Sequence, residues 1–160
     1  MSGLAAGIDT AAHTAAIEAG GHTVAVLGTP LDQAYPRENA ALQAVIGRDH
    51  LLVSQFAEHS KVTPKNFPMR NRTMALLCDA TVIVEAGPTS GTLHQGWEAL
   101  RLGRLLFLTE AVVQNAWLTW PAQMMHYGAQ TLSEANLERV IENLPALGAV
   151  ADLADLAHAA

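Results

Sequence analysis

Two hydrophobic periods take turns along this chain. Short aliphatic runs of four or five residues recur, bounded by glycine, proline or polar residues. Between them lie longer stretches whose apolar positions repeat at helical spacing. The runs at residues 23–27 (TVAVL), 51–54 (LLVS), 81–85 (TVIVE) and 105–108 (LLFL) predict four strands, and 129–132 a short fifth. Helices are predicted over 8–19, 38–46, 68–78, 93–102, 117–127 and 133–144. Asp9 or Thr10 is available as a cap for the first, Gly20-Gly21 stops it, and Gly103 ends the fourth. Ser133, followed by Glu134 and Glu138, gives the last helix its start signal. Residues 1–7 read as a small, flexible loop.

Strands alternating with helices at this spacing predict an α/β fold, a parallel sheet with helices on both faces. In such sheets ligands bind beyond the C-terminal ends of the strands. Three loops should gather at that edge: 28–36, the stretch before the third helix, and 87–92. The domain is expected to run over 1–145. The Ala-rich residues 146–160 read as a tail, a loose helix or disordered.

Composition narrows the function classes. The chain has 160 residues, half of them apolar and 15% charged, so it can bury a sizeable core in one domain. Its net charge of −6 argues against a broad basic face. No apolar run approaches the roughly 20 residues that span a bilayer. The single cysteine, Cys78, cannot form an internal disulfide, and no signal peptide is evident; the expectation is a cytoplasmic protein. The seven histidines are scattered without the i, i+4 spacing of a metal motif, so no metal site is expected. Ser90 does not sit in a nucleophile elbow, and Cys78 has no base beside it.

Charge placement is the informative feature. Four of the nine Lys and Arg residues, Lys61, Lys65, Arg70 and Arg72, lie in KVTPKNFPMRNR (61–72), which carries no acidic residue. Pro64 and Pro68 keep the backbone before them extended, and Phe67 offers an aromatic face. If Pro68 opens a helix, Arg70 and Arg72 fall in its first turn, where unpaired N–H groups already favour an anion. Such cations beside an aromatic ring suit a phosphate and a stacked base, whereas Asn66 and Asn71 can equally be turn braces. The glycine- and hydroxyl-rich turn GPTSGT (87–92) runs from a strand into a helix. Ser90 and Gly91 there can meet a phosphate or simply cap the helix.

Taken together, several short motifs resemble the shared core of the DNA-processing protein family DprA (Smf). They are Ser2-Gly3-Leu4-Ala5, Gly7-Ile8-Asp9, Ala12-His13, Gly20-Gly21 and Ala25-Val26-Leu27-Gly28, then Asp32, Tyr35-Pro36 and Glu38-Asn39. The order continues through Asn66-Phe67-Pro68, Arg70-Asn71-Arg72, Val84-Glu85-Ala86, Ser90-Gly91 and Gly103-Arg104. The resemblance implies a Rossmann-like core that binds single-stranded DNA, usually as a dimer. It also implies roles in natural transformation and recombination through loading of the RecA recombinase, and no catalysis or cofactor. Carried over by position, Asn66, Phe67, Arg70, Asn71 and Arg72 would form part of the DNA pocket, with Lys65 as a phosphate contact just before them and Ser90 and Gly91 lining it from the next loop. The family's usual first strand–helix unit, with its Gly-Ser/Thr-Arg phosphate loop, is missing before Ser2. The expectation is therefore an N-terminally truncated core with an uncovered sheet face or edge. Thr92–Trp97 and 109–120 also depart from the usual pattern.

A second reading comes from the lysine-decarboxylase-like group of nucleotide-processing proteins. Its glycine-rich pattern followed by a glutamate loosely resembles Glu85, Gly87, Ser90, Gly91, Thr92 and Glu98. It implies hydrolysis of a nucleoside monophosphate, with Glu98 as acid/base and Arg70 on the phosphate.

Overall fold

Each aliphatic run becomes a strand because β-branched and large apolar side chains pack well on a pleated surface that helices can cover. The computed structural model describes residues 1–144. The Ala-rich tail expected at 146–160 lies outside the described residues.

The elements follow in alternation: α1 (Ile8–Glu18), β1 (Val24–Leu27), a 3-10 turn (Arg37–Asn39) leading into α2 (Ala40–Asp49), β2 (Leu51–Ser54), α3 (Asn66–Leu77) and β3 (Ala80–Ile83). Next come α4 (Gly91–Arg101), β4 (Leu105–Thr109), the short α5 (Glu110–Val113), α6 (Trp120–His126), β5 (Gln130–Leu132) and α7 (Glu134–Glu142). Every strand pair is parallel, as the βαβ spacing requires.

The sheet is in two pieces. β1 pairs with β2, Val24 opposite Leu51, and β3–β4–β5 form a separate ladder with Ala80 opposite Leu105 and Phe107 opposite Gln130. The free side of β1 is taken by Ser2, which donates its N–H to the Val24 carbonyl at 3.0 Å and accepts from Val26 N–H at 3.0 Å. β3 pairs on one side only. Along it Thr81 and Ile83 are buried, while Val82 and Val84 are 45% and 41% exposed. One face of this edge strand is therefore bare among the described residues.

Two hydrophobic clusters match the two ladders. Leu4, Ala25, Leu27 and Ile46 close the first, with Ile17, Leu42 and Leu52 packed around them. Ile83, Leu106, Leu108, Val112, Trp120 and Met124 form the second, beneath Leu93, Trp97 and Leu100. Helix α3 joins the halves. It packs along α4 and reaches β1 through its N-terminal half.

Local expectations are corrected at three places. α3 begins at Asn66 and not at Pro68; a proline fits inside the first turn because the first four N–H groups of a helix have no intrahelical partner. Asp9 and Thr10 do not cap α1. Asp9 accepts the N–H groups of Gly3 and Ala5 at 3.1 Å each, and the Thr10 hydroxyl donates to the Ala5 carbonyl at 2.8 Å, so both tie down the preceding loop. α7 starts from the expected Ser133 N-cap with Glu134 in its first turn, but its capping box is closed by Asn136, whose side-chain carbonyl accepts Ser133 N–H at 2.8 Å, and not by Glu138.

Candidate nucleic-acid interface

The three loops at the strand ends meet around the N-terminal half of α3. Phe67 lies on the backbone at the end of β1: a methyl placed on Gly28 would stand 2.6 Å from its ring. The rings of Tyr35, from the 28–36 loop, and Phe67 are 5.2 Å apart and tilted by 50°. On the other side of α3, Asn71 donates from its side-chain amide to the Gly91 carbonyl at 3.2 Å, joining the helix to the Ser90–Gly91 turn. The Ser54 hydroxyl donates to the Thr29 carbonyl at 2.7 Å, which ties the β1 and β2 ends together.

Lys65 occupies the N-cap position of α3 and is exposed. Its side chain has no acceptor to offer, so the opening N–H groups of α3 have no side-chain cap. Asn66 is buried and braces the turn, its side-chain oxygen accepting from the Thr63 hydroxyl at 2.7 Å. Ser90 is the N-cap of α4, and its hydroxyl oxygen accepts Thr92 N–H at 3.2 Å.

The two arginines are not in the first turn of α3, and they do not face the same way. They are two positions apart, which turns them about 200° from each other around the helix axis. Arg70 points at β1. It is 7% exposed, and its Nη1 donates to the carbonyls of Gly3 at 2.5 Å and Val26 at 2.8 Å. Its Nε donates to the Asn71 side-chain oxygen at 2.9 Å. Burial lowers its pKa, with Asp9 pulling the other way. A Cβ on Gly3 would fall 2.5 Å from the guanidinium carbon, so only glycine leaves room there. Arg72 turns to α4, where its Nε stands 3.6 Å from Glu98 Oε2. The other Glu98 oxygen accepts from Arg101 at 2.6 Å. Glu98 is thus engaged by two guanidinium groups.

Ion pairing sorts the remaining cations. Arg48, Arg72, Arg101 and Arg104 each have a carboxylate partner. Lys61, Lys65, Arg37 and Arg139 make no ion pair among the described residues; Arg139 lies on α7, whereas the other three belong to the segments that carry Tyr35 and Phe67. Sequence reasoning missed Arg37, and it missed Tyr35 as a contact. Their signal was an aromatic, a proline and a cation in succession after a strand end. No group of three His, Cys, Asp or Glu side chains converges among the described residues, and no helix there is long and apolar enough to cross a membrane.

Comparison with known proteins follows the same lines. A sequence model of the family described as DNA recombination-mediator protein A matches residues 1–145. The DNA processing protein DprA of Streptococcus pneumoniae is 47% identical over 107 residues, 67% of this chain and 38% of that protein. The X-ray structure of the S. pneumoniae protein superposes with a TM-score of 0.80 at 37% identity, covering 90% of this chain and 50% of that one. The DNA processing protein A of Helicobacter pylori, whose structure describes its single-stranded DNA binding mode, has the same fold (TM-score 0.75, 23% identity, 90% of this chain and 66% of that one). The chain spans less than half the length of the curated relatives it matches.

Proposed function

The chain belongs to the DNA recombination-mediator protein A family, and on that premise we propose that it binds single-stranded DNA on the loop surface around the start of α3. The observation that carries this reading is the pairing of cations. In an acidic protein, Lys61 and Lys65 stand without carboxylate partners among the described residues, on the segment that carries Phe67 and opens α3 without a side-chain cap. Both lysines supply point charges for phosphates; the α3 start adds at most the Phe67 N–H, because Asn66 N–H already donates to the Thr63 carbonyl and Pro68 has none. Phe67 gives a base a face to stack on. Ser90 and Gly91, held to α3 by Asn71, line the far side. Arg70 acts here as a positioning residue: it fixes α3 against Gly3 and β1, so that Phe67 sits over Gly28. Arg72 is exposed, and a phosphate there would compete with Glu98, 3.6 Å from its Nε.

The reading has no catalytic step. Loading of a RecA-type recombinase onto the bound strand, action as a homodimer and a place in natural transformation belong to the same proposal and rest on family membership. Nucleoside monophosphate hydrolysis is not carried forward, because Glu98 is engaged by Arg72 and Arg101.

The test is fluorescence anisotropy of a labelled dT oligonucleotide at several salt concentrations, with this chain and with its Lys61→Ala/Lys65→Ala double variant. Binding should weaken with salt. The slope of log affinity against log salt should shrink by roughly 0.7 for each lysine removed. No binding by the folded chain, or equal binding and slope in the double variant, rejects the proposal.

A further inference from the structure

We propose that the Tyr35–Arg37 segment is a second nucleotide subsite on this surface, with Tyr35 stacking one base and Arg37 meeting a phosphate. It rests on the single-stranded DNA reading above and extends it to Tyr35 and Arg37, at the end of the 28–36 loop.

Four observations converge on this segment. First, Tyr35, Arg37 and Val62 line one open cavity of about 650 Å³, together with Thr29 and Gln33. Val62 follows Lys61 directly, so the cavity borders the basic loop. Second, Tyr35 is 59% exposed although it touches Phe67. A ring that touches another and leaves most of its surface open presents a face on which a further flat group can stack. The two tilted rings offer successive faces to neighbouring bases of a flexible strand.

Third, Arg37 is exposed and makes no ion pair among the described residues; of the other arginines four are paired, Arg70 is held by backbone carbonyls and Arg139 lies away on α7. Fourth, the loop is braced from within. Thr29 is 3% exposed, and its hydroxyl donates to the Gln33 carbonyl at 2.7 Å. Asn39, just after Arg37, is buried and donates to the Leu4 carbonyl at 2.9 Å. Tyr35 and Arg37 thus stand between two anchored points, and little ordering is required when a strand arrives. Surface tyrosines are common. A tyrosine stacked on a second ring, over a cavity and two residues from an unpaired guanidinium, has the chemistry of an aromatic platform beside a phosphate contact.

The experiment compares the chain with its Tyr35→Ala, Tyr35→Trp and Arg37→Ala variants in the same anisotropy titration. One probe is a dT oligonucleotide and the other the same backbone with abasic positions throughout. Tyr35→Ala should weaken dT binding roughly fivefold or more, Tyr35→Trp should restore it, and abasic binding should not respond to either. Arg37→Ala should reduce the salt slope by roughly 0.7 on both probes. Unchanged dT binding in Tyr35→Ala, an equal loss on both probes, or an unchanged slope in Arg37→Ala overturns the subsite. If wild-type binding depends on Lys61 and Lys65 but not on Tyr35 or Arg37, this inference alone fails. If the folded wild-type chain binds neither probe, the parent reading fails with it.

Discussion

Arg70 shows how one residue can matter to a binding surface without touching what binds. Its guanidinium is the donor for two buried carbonyls, those of Gly3 and Val26. Truncation leaves both unpaired, so Arg70→Ala should cost about 2–4 kcal/mol of stability in urea melts. Arg70→Lys should recover only part of it, since one ammonium cannot reproduce the planar fork. A loss under 1 kcal/mol would remove the positioning role. His13 makes a second residue-scale prediction. It is 1% exposed; its Nδ1 is 2.7 Å from the Thr23 hydroxyl oxygen, and its Nε2 has no protein partner among the described residues. Burial lowers its pKa below the ordinary 6.5. The unfolded chain therefore binds this proton more readily. The stability due to neutral His13 is fully present above about pH 6.5 and is lost as pH falls from there towards the lower folded value. Melts between pH 7.5 and 5 should show a steeper acid loss in wild type than in His13→Gln; parallel curves would rule this out.

At the scale of elements, what could be read in advance was what local pattern decides. β2 falls on residues 51–54 as expected, a short aliphatic run bounded by polar neighbours. α4 starts two residues before its first apolar position because Ser90 caps it, a signal carried by a hydroxyl and not by hydrophobicity. The four-residue α5 went unseen; it is too short to show a helical period. The basic stretch 61–72 was visible as a charge cluster. The helix within it then separates the arginines by geometry, one towards β1 and one towards Glu98. Which charges stay free depends on partners distant in sequence, and composition does not disclose them. The meeting of the 28–36 loop, α3 and the Ser90–Gly91 turn was legible, since parallel strands send their C-terminal loops to one edge.

At the scale of the whole molecule, the break in the sheet was not legible, because strand order is not a local property. Each ladder has its own hydrophobic cluster, and α3 is the connection between them. Such an arrangement favours separate opening of the two parts. Native-state hydrogen exchange in increasing urea should resolve two sets of amides, those of β1–β2 and those of β3–β4–β5, with different protection. One common opening free energy for both would show that α3 couples them fully.

The Arg70 link spans 67 residues to Gly3 and 44 to Val26. A chain made from its N-terminus exposes those two carbonyls long before their cation exists. Through that interval only water can satisfy them, and closing so wide a loop is entropically late. The floor beneath Phe67 thus arrives after β1, once the chain has been made at least as far as Arg70.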